Sequence, residues 1–140
     1  MIDREALDAA IEAAVVDILE VNAFELGERA AVEDVPGDAL TARLRFHGPP
    51  SGHLVLWIDP AEARALAAAL LGTDEVDAAT VRDTVAELAN MIAGHVLSRV
   101  FLDTCIGLDH AEVGVAITEA CHLQVMGEHG RIGVGLELAA

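Results

Sequence analysis

The sequence predicts an α+β fold with long helices packed on an antiparallel sheet. Apolar residues recur at helical spacing over residues 4–20 and again from about 78 to 102. Strand-like runs are gathered in blocks instead of alternating with helices, which points to an antiparallel sheet. Composition supplies a third observation. The chain is 54% hydrophobic but only 3% aromatic, which excludes disorder and demands an aliphatic, alanine-rich core. Its 140 residues are the size of one domain, 1–140, that can build a core without metal or disulfide staples.

Leu7, Ile11, Ala14, Val15, Ile18 and Leu19 define the apolar side of the first helix, with Asp3 as its cap. Residues 21–39 read as irregular, with a turn at Pro36-Gly37-Asp38. Leu40, Ala42, Leu44 and Phe46 alternate with polar residues, the mark of a half-buried strand. Residues 53–58 form a more buried strand antiparallel to it. Asp59-Pro60-Ala61-Glu62 starts a helix, with Asp59 capping, Pro60 at the first helical position and Glu62 completing a capping box. Gly72 ends that helix, and an acidic link at 73–77 leads to the long helix. Three strand-like runs follow, at 113–117, 122–126 and 132–138, the last two joined by a hairpin turn at 127–130. The final run lies near the C-terminus and is expected at a sheet edge.

Acids outnumber bases 24 to 8, for a net charge of −16, and every base is Arg. Such a surface is a poor partner for nucleic acid or an anionic membrane. The scarcity of aromatics excludes a stacking platform for single strands. Absence of Lys excludes Schiff-base chemistry and a P-loop lysine. Charges interrupt every apolar stretch well before the length of a membrane span, so no membrane insertion is expected. The first residues lack a secretory pattern, and a cytoplasmic location is expected. The six His form no metal-ligand pairs on a helix face, so no metal site is expected. Cys105 and Cys121 read as a pair or as free thiols. Cys105, His110 and His122 together match no nucleophile motif.

The long helix carries the pattern that points to function. Val81, Val85, Leu88, Ile92, Val96 and Arg99 fall on one side of it, the expected core face. Asp83, Glu87, Asn90 and Gly94 follow at spacings of four, three and four, and so stack on the opposite side. The result is a narrow polar stripe with a carboxylate and a carboxamide one turn apart. Asn90 and Gly94 in mid-helix are unfavourable to helix stability. Gly94 leaves space for another backbone to approach. A solvated helix face is the simpler account of the same residues, and Thr80 with Asp83 would then form a capping box. The first helix repeats half of the pattern, with Asp8, Glu12 and then Val15 in place of the Asn.

The segment from Asp83 through Glu87 and Asn90 to Gly94 resembles the signature helix of the CheC/CheX/FliY class of chemotaxis phosphatases. The similarity extends upstream to Gly52-His53-Leu54-Val55-Leu56-Trp57-Ile58-Asp59-Pro60, to Leu70-Leu71-Gly72 and to the acidic link, and covers about residues 8–140. It implies a CheX-like architecture, a pseudo-two-fold pair of long helices on a sheet. With Val15 at the first-site position, the chain resembles the single-site, CheX-like members. The implied activity is hydrolysis of the aspartyl phosphate of a CheY-like response-regulator receiver domain. Asn90 would orient the attacking water, and Glu87 would pair with the receiver's lysine. Asp83 and Gly94 would line the docking surface. The resemblance implies no cofactor in this chain, the Mg²⁺ being the receiver's. Together with the expected edge strand it implies a homodimer formed by sheet continuation. One departure is that the neighbourhood of Glu112-Val113-Gly114 lacks the family's usual Pro. A non-catalytic receiver-binding adaptor, or an assembly module of the same fold, is the alternative function.

Overall fold

The computed structural model describes residues 3–102 and 104–139. In chain order the elements are α1 (Arg4–Ala23), β1 (Glu28–Ala30), β2 (Leu40–His47), β3 (Gly52–Ile58), α2 (Pro60–Leu71), α3 (Ala78–Val100), β4 (Gly107–Leu108), β5 (Glu112–Val113), β6 (Leu123–Met126) and β7 (Arg131–Leu138). The strands form a mixed-length antiparallel sheet in the order β1-β6-β7-β3-β2-β4, with β5 also paired to β2. The three helices pack on one face of it, so the predicted α+β class holds.

Each helix ends where local chemistry stops it. Asp3 caps α1 by accepting from the Glu5 N–H at 3.3 Å. At the other end Phe24 turns left-handed (φ 56°), and the Glu25 N–H closes on the Leu19 carbonyl at 3.1 Å. For α3 the cap is Asp77, whose Oδ1 accepts from the Thr80 N–H at 2.7 Å. Thr80 and Asp83 therefore form no capping box, and Asp83 stays exposed on the second turn.

The core is aliphatic, as composition demands. Val85, Leu88, Ile92 and Val96 of α3 and Ile11, Val15 and Ile18 of α1 are buried against alternate residues of β2, β3 and β7. Arg99 departs from the expected core line and is exposed. It lines two surface hollows between α1 and α3, one with the small residues Ala6, Ala9 and Ala10 of α1. Val55 and Trp57, buried on the other face of β3, are covered differently. A Cβ on Gly133 would overlap the Trp57 indole, and one on Gly135 would overlap the Ala120 carbonyl. Glycine in β7 thus lets a ring and a loop lie directly on the strand.

That loop, 114–121, includes most of the 113–117 run expected as a strand, of which only Val113 pairs, as part of β5. Gly114 (φ 81°) turns the chain off the ladder. Thr41 Oγ1 then donates to the Val115 carbonyl (2.6 Å) and Arg43 Nη2 to that of Ala116 (3.1 Å). Arg43 also grips Glu119 at 2.7 Å, which holds the Glu119 carboxyl down at about 2. Short strands at 28–30 and 107–108 appear where none was expected. The final strand, expected at an edge, is central. β7 pairs along its length with β3 and over Arg131–Val134 with β6. The sheet edges are β1 and the β4/β5 side, so β7 offers no free edge for the homodimer expected from it.

The expected capping role of Asp59 and Glu62 is also overturned. Asp59 makes no side-chain cap bond. Its Oδ2 accepts from the Arg131 N–H (2.7 Å), and its own N–H donates to the Arg131 carbonyl (3.0 Å). Glu62 is wholly buried, and its Oε1 accepts from the His129 N–H at 3.0 Å. Beside it Glu25, also buried, accepts from the Glu128 N–H at 2.7 Å. Two carboxyl groups thus hold the β6–β7 turn from below, with Glu128 reaching back to the Leu26 N–H at 3.0 Å. Burial, then the hydrogen bond with Glu25, pushes Glu62 up to about 8.

In the unfolded chain the Glu62 carboxyl titrates near 4.5, and the fold keeps its proton to about pH 8. The folded state therefore binds the extra proton across that window, and stability falls as pH rises through it. Glu62→Gln keeps an acceptor for His129 and a donor toward Glu25. The expected outcome is a thermal midpoint for Glu62→Gln that declines less than wild type between pH 5 and 8, measured by circular dichroism. Identical pH profiles would contradict the raised Glu62 carboxyl.

Candidate functional site

The core line of α3 decides where its polar residues point. With Val85, Leu88 and Ile92 buried, Asp83, Glu87 and Gly94 are exposed and Asn90 is half-buried, all on the outer side. Glu87 and Asn90 are three residues apart, about 4.5 Å along the axis, and so act on one spot. The four residues of the predicted stripe are thus brought together.

Their side chains are also unoccupied. Among the described residues, Asp83, Glu87 and Asn90 make no side-chain hydrogen bond or ion pair. Asn22 of α1 provides the contrast, since its Nδ2 donates back to the Ile18 carbonyl at 3.0 Å. Helical Asn side chains commonly turn inward in this way, yet Asn90 keeps both ends of its amide free. The acids of α1 contrast equally with those of α3. Asp8 and Glu12 hold Arg29 at 3.6 and 3.4 Å, and Asp8 lies 2.6 Å from His122 Nδ1. Val15, where the half-repeat lacks its Asn, is fully buried. The half-repeat on α1 therefore carries structure, and only α3 presents a free carboxylate and amide.

Two concave surfaces adjoin the stripe. Leu70 and Leu71, at the end of α2, line a hollow with Asp83 and Glu87. Ala10, Ala14 and Asp17 of α1 face Gly94, Ser98 and Leu102 across a groove of about 610 Å³. A Cβ on Gly94 would meet nothing within 4 Å. The sequence places Leu70 and Leu71 only at the end of α2 and within the resemblance, not at the site, although a signal for the site exists. Consecutive Leu residues point about 100° apart, and Ala63, Leu66 and Ala67 already occupy the buried side of α2.

Other candidate chemistry dissolves. Nε2 of His122 accepts from the Leu136 N–H at 3.2 Å and Nδ1 lies 2.6 Å from Asp8 Oδ1, so the ring is tied into the fold away from the α3 stripe. Cys105 and Cys121 are free thiols, and burial raises Cys121 to about 12, which keeps it protonated and inert. Among the described residues no cluster of His, Cys, Asp or Glu could hold a metal ion, and no helix is long and apolar enough to cross a membrane.

A family model described as chemotaxis phosphatase CheX matches residues 40–125, well over half of the chain and including the whole stripe. The chain belongs to the CheX family. Solved structures share its fold. CheX from Desulfovibrio desulfuricans superposes with a TM-score of 0.76 at 18% identity, over 95% of this chain and 99% of that one. CheX from Vibrio vulnificus gives 0.77 at 16% identity, over 99% and 100%. A chain of the CheX–CheY–BeF3–Mg²⁺ complex from Borrelia burgdorferi gives 0.67 at 17% identity, over 100% of both. None of the curated protein sequences matches the chain. Family membership thus rests on the segment holding β2 to β6, while the shared fold extends to α1 and β7.

The open space at Gly94 has a measurable consequence for this CheX-family chain. Gly94→Ala removes backbone freedom from the unfolded state and meets no steric penalty in the fold. The expected gain is about 0.4–1 kcal/mol, read as a rise of about 3 °C in thermal midpoint. A fall in the midpoint would show that the groove is closed in solution.

Proposed function

We propose that this chain accelerates hydrolysis of the aspartyl phosphate on a CheY-like response-regulator receiver domain. Membership of a chemotaxis phosphatase family sets the class of reaction. The observation that carries the reading is the pair Glu87, exposed, and Asn90, half-buried one turn on, both free of side-chain partners among the described residues. The CheX–CheY complex from Borrelia burgdorferi supports a receiver as the partner.

An acyl phosphate is already labile, so the catalyst need only position water and stay out of its path. Asn90 enters the receiver's active site, and its amide oxygen accepts from a water aligned opposite the acyl oxygen. The water oxygen forms the new P–O bond, the acyl P–O bond breaks, and the receiver's aspartate leaves as carboxylate. The water's proton passes to phosphate or solvent. A carboxamide suits this task because it donates and accepts without acquiring charge near the phosphoryl group. Glu87 pairs with a lysine of the receiver and sets the docking register. Asp83 and Gly94 line the contact. The phosphoryl oxygens are neutralised by Mg²⁺ held in the receiver, and this chain contributes no cofactor.

The test is phosphate release from a phosphorylated receiver with Mg²⁺, with and without the chain. Asn90→Ala is expected to lose on the order of 10²-fold of the acceleration at saturating receiver. Glu87→Ala is expected to act chiefly by weakening binding. Full acceleration by Asn90→Ala would refute the assignment of the water-positioning residue.

A further inference from the structure

The stripe on α3 is bracketed by exposed leucines. Leu71 is 56% exposed and Leu70 40%, in the hollow that Glu87 and Asp83 share. Leu102 is 79% exposed at the far end of the groove that opens at Gly94. Isolated surface leucines need no explanation. These stand apart because each lines a concavity that also contains a residue of the stripe.

We propose that Leu71 and Leu102 are the apolar anchors by which the partner is held across the α3 stripe. This rests on the phosphatase reading and deepens it, since it assigns the affinity to residues outside the chemistry. Leu102 stands fifteen positions after Glu87, two past the end of α3, about 22 Å at the α-helical rise. A standard interface covers about 800 Å² per partner, a patch about 30 Å across. One such patch spans both leucines with Glu87 and Asn90 between them. This matches the anatomy of stable interfaces, where apolar anchors supply affinity and polar groups supply register.

Charge selects the occupant. Asp83 and Glu87 find no counter-charge among the described residues, whereas in the adjoining groove Asp17 shares the lining with Arg99. A second copy would set these acids against another surface of a chain with net charge −16. The fitting partner is a different protein, with a cation that meets Glu87 and an apolar surface on either side of it. A receiver with lysine beside its phosphorylation site has that central cation.

Leu71→Ser and Leu102→Ser leave the core intact because both side chains are exposed. Val32→Ser, 57% exposed on the segment that packs near β6, is the control. Binding to a receiver carrying beryllofluoride and Mg²⁺ is followed by calorimetry, and phosphate release by steady-state kinetics. Each Leu variant is expected to raise the dissociation constant and the half-saturating receiver concentration about tenfold, with the maximal rate and the control unchanged. Unaltered affinity in both variants, with wild-type acceleration present, overturns the anchors and leaves the phosphatase reading standing. Binding without acceleration in wild type, weakened by the Leu variants, overturns the phosphatase reading and supports the anchors. Absence of any receiver binding overturns both.

Discussion

Burial of one aliphatic line of α3 governs the rest of this molecule. Val85, Leu88, Ile92 and Val96 are nearly or wholly inaccessible. A helix advances 100° per residue, so burying that line leaves no freedom in the direction of Glu87 and Asn90. The sheet beneath is rigid because β3 and β7 pair over seven residues at its centre. Function is thereby placed on a regular element and not on a loop, and geometry at the stripe inherits the stiffness of the core.

The pair of long helices is alike in outline and unlike in use. On α1 the acids are committed to Arg29 and His122, contacts that tie the helix to β1 and to the chain entering β6. On α3 the acids at matching spacing are left in water. An isolated exposed ion pair contributes little to stability, but occupying Asp8 and Glu12 removes them from any surface available to a partner. The loss of symmetry is therefore electrostatic as much as it is the replacement of an Asn by Val15.

Much of this was legible in the sequence. Helical period marked α1 and α3, alternation marked β2, and Pro60 with Gly72 bounded α2, because each is a local rule satisfied locally. The stripe was legible for the same reason, since spacing alone fixes which residues of a helix share a side. What escaped depends on partners distant in sequence. Glu62 sits where a capping box wants it, yet it turns inward to a hairpin that lies 67 residues away. The 114–121 loop has strand-like composition, but Thr41 and Arg43 take its carbonyls and Gly114 bends it off the ladder. The place of β7 in the middle of the sheet follows from pairing order, which no window of sequence contains.

The packing of Trp57 against Gly133 has a use beyond stability. The chain holds one Trp and no Tyr, so nearly all its ultraviolet emission comes from a single ring. That ring is fully buried on the sheet face turned away from the helices. It forms a native optical probe of the strand layer, separated by the whole thickness of the core from whatever binds on α3. A change in its emission would signal opening of the sheet, and a partner seated on the outer helices would leave it dark to their meeting.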